Sequence, residues 1–136
     1  MQSKAQNAVN PCGLTSILTR QCEKSALKKR VRIYSRLPKH IILWLLSDEL
    51  SDSEKAEVTA AAKENLEGLK GKIDGLEDIK VITLKLASSN ADMMLDSTFV
   101  SEQALRAYSS NPAHVAVADK FVRPYIQTRS CIDFEI

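Results

Sequence analysis

The sequence lacks the features that mark disulfide-bonded, zinc-binding and membrane-spanning proteins. Its three cysteines are an odd number without a Cys-x-x-Cys pair, and none has a histidine at metal-ligand spacing, so we expect neither a disulfide framework nor a metal site. The longest apolar run has six residues, at 41–46, whereas a membrane-spanning helix needs about 20. We therefore expect a cytoplasmic protein with no metal, no cofactor and no membrane partner.

Acidic residues are scarce in the first 39 positions and abundant afterwards. The first stretch holds nine Lys or Arg and the single acid Glu23, a net charge of +8, whereas the remainder holds ten basic and sixteen acidic residues, a net charge of −6. Nucleic-acid binding draws much of its affinity from clustered cations. We therefore expect no nucleic acid on the folded part of the chain.

The basic stretch predicts a leader over residues 1–37, ahead of one folded domain over residues 38–136. Leu14, Ile17 and Leu18 would share one face of a helix, as in an organelle transit peptide. The basic run at 28–32 is also typical of nuclear-import or nucleic-acid patches. A flexible leader explains the same composition without either assignment, and it is the interpretation that we favour.

Apolar patterns after residue 38 predict four strands and two helical regions. Continuous or alternating apolar residues indicate strands at 40–46, 77–87, 92–100 and 129–136. A capping box at 51–54 begins the first helix, and Ser101 and Pro112 begin successive parts of the second helical region. The apolar stripe of the first helix comprises Val58, Ala62, Leu66, Leu69 and Ile73. This β-α-β-β-α-β order predicts an α+β domain of the ferredoxin-like plan, an antiparallel sheet with its helices on one face.

Apolar side chains point to both faces of the first predicted strand. The two alternating sets are His40, Ile42, Trp44 and Leu46, and Ile41, Leu43 and Leu45. Ile82, Leu84 and Leu86 repeat this situation on the second predicted strand. Leaving five or six such side chains in water would forgo roughly 10 kcal/mol, which is comparable with the stability of a small domain. We therefore predict a homodimer in which a second copy covers the open sheet face, forming a dimeric α+β barrel.

Six sequence blocks at consistent spacing carry a resemblance to a known family. They are KHIILW at 39–44, DELS at 48–51, SSNAD at 88–92, AYSSNPAHV at 107–115, FVRP at 121–124 and IDF at 132–134. With these blocks the domain resembles the stress-responsive A/B-barrel (Dabb) family of the dimeric α+β barrel superfamily. The resemblance implies a dimer with a cleft between sheet and helices in each subunit, where a small apolar or aromatic ligand would bind.

The same resemblance suggests an enzymatic alternative. One plant branch of the family closes linear polyketides by aldol condensation, using a Tyr and a His of a Tyr-x-x-His-Pro-Ala-His segment with a His on the first strand nearby. Tyr108, His114 and His40 match these three positions, whereas Asn111 departs from the pattern, which has His before Pro. In that hypothesis His114 is the base, Tyr108 donates a hydrogen bond to the developing oxyanion, and His40 orients the substrate.

Other interpretations of these residues remain open or are disfavoured. His114 and Tyr108 can equally serve a structural role, or bind a ligand without turnover, with His40 and Trp44 as further ligand contacts. A ferredoxin-like sheet can bind RNA through stacking aromatics on strands one and three, but strand three carries Asp92 and Asp96 instead. The superfamily also contains haem-degrading monooxygenases, and no haem-binding signal is present among these residues.

Overall fold

The computed structural model describes residues 36–136. The predicted leader therefore lies outside the described residues up to position 35, as do Cys12 and Cys22, and its roles stay predictions. Within residues 36–136, no helix combines the length and apolar character that crossing a membrane requires.

Four strands and three α-helices follow one another in the predicted order. They are β1 (Pro38–Leu46), α1 (Asp52–Glu67), β2 (Leu76–Ile82), β3 (Met93–Phe99), α2 (Glu102–Ser110), α3 (Pro112–Phe121) and β4 (Ile126–Glu135), with a short 3-10 turn at Arg123–Tyr125. The strands form one antiparallel sheet in the order β2-β3-β1-β4. The predicted ferredoxin-like α+β fold is confirmed, with the second helical region divided into α2 and α3.

Side chains just ahead of each helix fix where it begins. The Ser51 hydroxyl accepts a hydrogen bond from the Glu54 amide at 3.1 Å, and Ser101 does the same for α2. Asn111 ends α2 and caps α3, because its side-chain oxygen accepts from the Ala113 amide at 2.9 Å. Pro112 follows as the first residue of α3, where its missing amide hydrogen is no loss.

Burial alternates along the three strands β1, β2 and β3, so one side of the sheet packs against the helices. The buried cluster on that side includes Ile42, Leu46, Leu66, Leu95 and Phe99. The opposite side carries no helix among the described residues, and its apolar side chains remain exposed. This arrangement confirms the alternation that the sequence predicts for β1.

Strand β2 ends at Ile82, so the predicted extension to residue 87 is wrong. Its last partner in β3 is Met94, and the Asp92 amide donates to the Trp44 carbonyl at 2.8 Å instead of pairing with β2. Leu84 and Leu86 consequently lie in the following loop, with 94% and 77% of their surface exposed, and not on a sheet face. Strand β4 begins at 126 rather than 129, because its pairing with β1 continues past a bulge at the end of β1.

Asp92 fastens the start of β3 to the end of β1. One carboxylate oxygen accepts from the Leu46 amide at 2.7 Å, and the other accepts from Lys85 at 2.5 Å. Burial by itself raises the pKa of Asp92, but the hydrogen bonds from Lys85 and Leu46 outweigh it, and the pKa is lowered below its usual value.

Candidate functional site

A cleft of about 430 Å³ opens between the helix-facing side of the sheet and helices α1 to α3. Seven of its twelve lining residues are apolar and five are polar or charged, two of them arginines. The lining residues are His40, Ile42, Trp44, Leu66, Leu95, Ser109, His114, Ala118, Val122, Arg123, Ile126 and Arg129. Three of the four predicted ligand-binding residues are therefore among them.

The local sequence explains how two of these residues are brought together. Tyr108 lies in the last turn of α2 and His114 in the first turn of α3, on either side of the break at Asn111 and Pro112. The two rings stack with their centroids 4.1 Å apart and their planes inclined by 31°. Tyr108 itself is 1% exposed and lies behind the cleft lining.

His40 joins this pair from the sheet. It is buried near the start of β1 on the helix-facing side, four residues before Trp44, so the two side chains share a face. The His40 ring meets Tyr108 and Phe99 edge-on, at centroid distances of 6.1 and 6.4 Å. Packing between aromatic rings therefore holds the imidazole in place.

Within residues 36–136, two buried polar atoms at this site have no hydrogen-bond partner. They are the Tyr108 hydroxyl and Nδ1 of His114. Burial raises the pKa of Tyr108 well above its usual value, so the phenol keeps its proton. Burial also lowers the pKa of His114, and the nearby charge of Arg123 lowers it further. The backbone of Ser109 acts in the opposite direction, but Nδ1 of His114 has no hydrogen-bond partner within residues 36–136. The imidazole of His114 is therefore neutral at pH 7.

Sequence reasoning missed a second cluster beside His40. Asp133 is the cross-strand partner of His40, and its Oδ1 lies 2.5 Å from Nδ1 of His40. The Cys131 sulfur lies 3.5 Å from Oδ1 of Asp133 and 3.8 Å from Nδ1 of His40. The alternation along the last strand already placed Cys131 and Asp133 on one face, but their meeting with His40 depends on the pairing of β4 with β1. Burial and the Asp133 carboxylate raise the pKa of the Cys131 thiol.

A second groove, of about 660 Å³, lies between α1 and the loop after β2. It is larger than the cleft, but it is more open, and seven of its twelve lining residues are charged, among them Lys55, Lys63 and Glu64. None of the predicted site residues contributes to it. The cleft is therefore the better candidate site, because it combines an apolar floor with converging imidazole and hydroxyl groups.

Several solved structures have the same architecture. A dimeric protein of unknown function with a ferredoxin-like fold, from Bacteroides fragilis, is 30% identical with a TM-score of 0.69, and the match covers 74% of this chain and 96% of that one. A dimeric ferredoxin-like protein of unknown function from Thermobifida fusca is 24% identical with a TM-score of 0.61, over 75% of this chain and 92% of that one.

A hydroxynitrile lyase from Passiflora edulis is 17% identical with a TM-score of 0.57, over 75% of this chain and 94% of that one, and this likeness shows the fold alone. No curated protein sequence matches the chain. The sequence profile described as "Stress responsive A/B Barrel Domain" matches residues 39–136, nearly the whole described part. The chain therefore belongs to the stress-responsive A/B barrel domain family.

Proposed function

We propose that the protein binds a small apolar or aromatic ligand in the cleft, as a homodimer whose subunits meet through their open sheet faces. The observation that carries the ligand proposal is the cleft itself. Its volume of about 430 Å³ falls within the range of small-molecule sites, and apolar side chains form most of its lining. His114, which lines the cleft, contributes a buried polar atom that a ligand would satisfy, and the Tyr108 ring stacks on it from behind the lining.

A thermal-shift screen of aromatic and polyketide-type compounds on the full chain tests ligand binding. A compound at about 100 times its dissociation constant stabilises a protein by about 2.7 kcal/mol. The variant Ala118→Val narrows the cleft and should reduce the shift, whereas Ala60→Val narrows the groove beside α1 and should leave it unchanged. If the two variants gave equal thermal shifts, the ligand would bind outside the cleft.

The dimer proposal rests on the apolar character of the open sheet face. Leu43, Ile82, Ile132 and Phe134 are 42%, 46%, 59% and 39% exposed. Ile132 and Phe134 stand on the side of β4 opposite to Cys131 and Asp133, so covering them leaves the cleft accessible. Covering the exposed half of four such side chains contributes about 3–6 kcal/mol per subunit at 1.5–3 kcal/mol for each full burial. The relatives from Bacteroides fragilis and Thermobifida fusca are described as dimeric.

Replacing Leu43 by Lys places a charge in the middle of the open face. We expect Leu43→Lys to sediment as a folded monomer at concentrations where the wild type is a dimer, because a buried unpaired ammonium is strongly unfavourable. The control is Ala116→Lys, an exposed position on α3, which should not change the sedimentation coefficient. A wild-type chain that sediments as a monomer, or a dimer that tolerates Leu43→Lys, would contradict the proposal.

A second candidate function is a polyketide-cyclase-like enzyme with His114 as base and Tyr108 as hydrogen-bond donor. The specific observation in its favour is the stacking of these rings at 4.1 Å, with His114 neutral and Tyr108 protonated at pH 7. A neutral imidazole can remove a proton beside a carbonyl, and a phenol can stabilise the resulting enolate oxygen. The hydroxynitrile lyase from Passiflora edulis adds only that this fold can carry an enzyme.

Turnover of a linear polyketide thioester, followed by product absorbance, tests this candidate. We expect His114→Ala to lower kcat by about 10²–10⁴ and Tyr108→Phe by about 10²–10³. Ser110→Ala, at an exposed position outside the cleft lining, should leave kcat unchanged. Because the pKa of His114 is lowered, the acidic limb of the kcat/KM profile should fall below pH 6.5. Unchanged turnover in both active-site variants would exclude the enzymatic mechanism.

A further inference from the structure

The cluster of His40, Cys131 and Asp133 contains three side chains of metal-ligating type. Their ligand atoms all lie within 4.8 Å of one another. Cys131 and Asp133 are two residues apart on β4, and His40 is the cross-strand partner of Asp133 on β1, so all three project from the same side of the sheet. No local sequence pattern indicates this site, because 91 residues separate Cys131 from His40.

Two of the three distances between these ligand atoms match those of a tetrahedral zinc site. Bond lengths of about 2.3 Å to sulfur and about 2.0–2.2 Å to nitrogen and oxygen place neighbouring ligand atoms about 3.4–3.6 Å apart. The cysteine sulfur is 3.5 Å from the carboxylate oxygen and 3.8 Å from the imidazole nitrogen. Only the His40–Asp133 distance of 2.5 Å is too short, and the Asp133 side chain is 49% exposed, so it can rotate outward.

The chemistry of the ligand set selects the class of metal. Thiolate, imidazole and carboxylate together suit zinc and similar transition ions, whereas magnesium and calcium take oxygen ligands. His40 is already fixed by its edge-on contacts with Phe99 and Tyr108, so one ligand is preorganised. Asp133 and Cys131 are exposed, which gives an ion a path from solvent.

We propose that His40, Cys131 and Asp133 bind a zinc ion at the edge of the sheet, beside the cleft. The ion replaces the hydrogen bond between His40 and Asp133, and three protein ligands leave the fourth tetrahedral position open. The site lies on the helix-facing side of β4, so it does not depend on the open sheet face. It also does not depend on a ligand in the cleft, and it stands or falls separately from the proposed function.

Cobalt titration of the full chain tests the site, because Co²⁺ takes zinc sites and a Co²⁺–thiolate bond gives a near-ultraviolet charge-transfer band. For this titration Cys12 and Cys22 are replaced by Ser, so that Cys131 is the only thiol. A chelator first removes any bound metal from the protein. We expect a band that saturates at one Co²⁺ per chain, is abolished by added Zn²⁺ and is unaffected by Mg²⁺. Cys131→Ser should remove the band.

Variants on the same strand separate a built site from casual binding. Loss of a residue that only hydrogen-bonds to a metal ligand weakens metal affinity roughly 10- to 100-fold. Asp133 would itself be a ligand, so Asp133→Asn should weaken the affinity at least about tenfold. Glu135→Gln changes a carboxylate two residues further along the same face of β4 and should leave the affinity unchanged. Circular dichroism confirms that each variant is folded. The absence of the band, its persistence in Cys131→Ser, or an equal loss in Glu135→Gln and Asp133→Asn would each overturn the assignment.

Discussion

Replacing Tyr108 by Phe should stabilise the protein while impairing its site. The Tyr108 side chain is 1% exposed, and its hydroxyl has no hydrogen-bond partner among the residues that the structure describes. A buried polar group without a partner lowers stability by about 1–3 kcal/mol, so its removal should raise the free energy of unfolding. We expect a gain of about 1 kcal/mol, which corresponds to a rise of about 4–8 °C in Tm for a domain of this size.

The matched control is another buried hydroxyl that does have a partner. Ser97 is fully buried, and its hydroxyl donates to the His40 carbonyl at 3.0 Å. Ser97→Ala should therefore lower the free energy of unfolding by about 0.5–1.5 kcal/mol. Both variants remove one oxygen from the same side of the core, so the sign of the change reports on hydrogen bonding.

Thermal and urea unfolding of both variants, together with the ligand screen, give the answer. The expected pattern is a more stable Tyr108→Phe that binds cleft ligands more weakly, since functional groups are often kept at the expense of stability. If Tyr108→Phe were destabilised as much as Ser97→Ala, the hydroxyl would be a structural group already satisfied in the resting protein. The reasoning that assigns it to a ligand would then be wrong.

Two further matched pairs test the fold by urea unfolding. Asp92→Asn should lower the free energy of unfolding by about 1–3 kcal/mol, whereas Asp78→Asn, an exposed partner of a lysine, should change it by less than about 0.5 kcal/mol. Because folding lowers the pKa of Asp92, the stability that its carboxylate contributes is fully present above pH 3.8 and should decrease as the pH falls through the folded pKa. A stability difference that does not shrink as the pH is lowered below 3.8 would contradict this. Gly75 and Gly71 have φ of 83° and 84°, but only at Gly75 would a Cβ meet another atom, Ala104 Cβ at 2.5 Å. Gly75→Ala should therefore destabilise by more than the roughly 1–3 kcal/mol of backbone strain expected for Gly71→Ala, and equal losses would show that the contact is relieved.

Local patterns in the sequence predicted the elements well because helices and strands follow from short-range periodicity. The predicted helix starts at Ser51, Ser101 and Pro112 lie where helices begin. The strand ends were less predictable. Thr83 to Ala87 continue an apolar alternation, but a strand also needs a partner, and β3 begins only at Met93.

The candidate site was predicted in part. His40, Trp44 and His114 line the cleft, and Tyr108 stacks on His114, as a shared cleft requires. These positions came from the family resemblance, because periodicity alone would assign them to the core, and their roles stay predictions. Nothing local distinguishes a buried hydroxyl without a partner from one that is satisfied, so the lack of a partner for the Tyr108 hydroxyl within residues 36–136 could be seen only in the folded chain.

The sequence by itself determined the order of elements, the two-sided apolar character of β1 and the charge contrast between basic residues 1–39 and the acidic remainder, because each depends on residues that are neighbours in the chain. Only the tertiary structure decided which side chains share a site. Pairing β4 with β1 places Asp133 opposite His40, and a shift of one residue would turn Cys131 and Asp133 to the other face of the sheet. Register is set by contacts between distant segments, so the His40, Cys131 and Asp133 cluster exists only in the folded molecule.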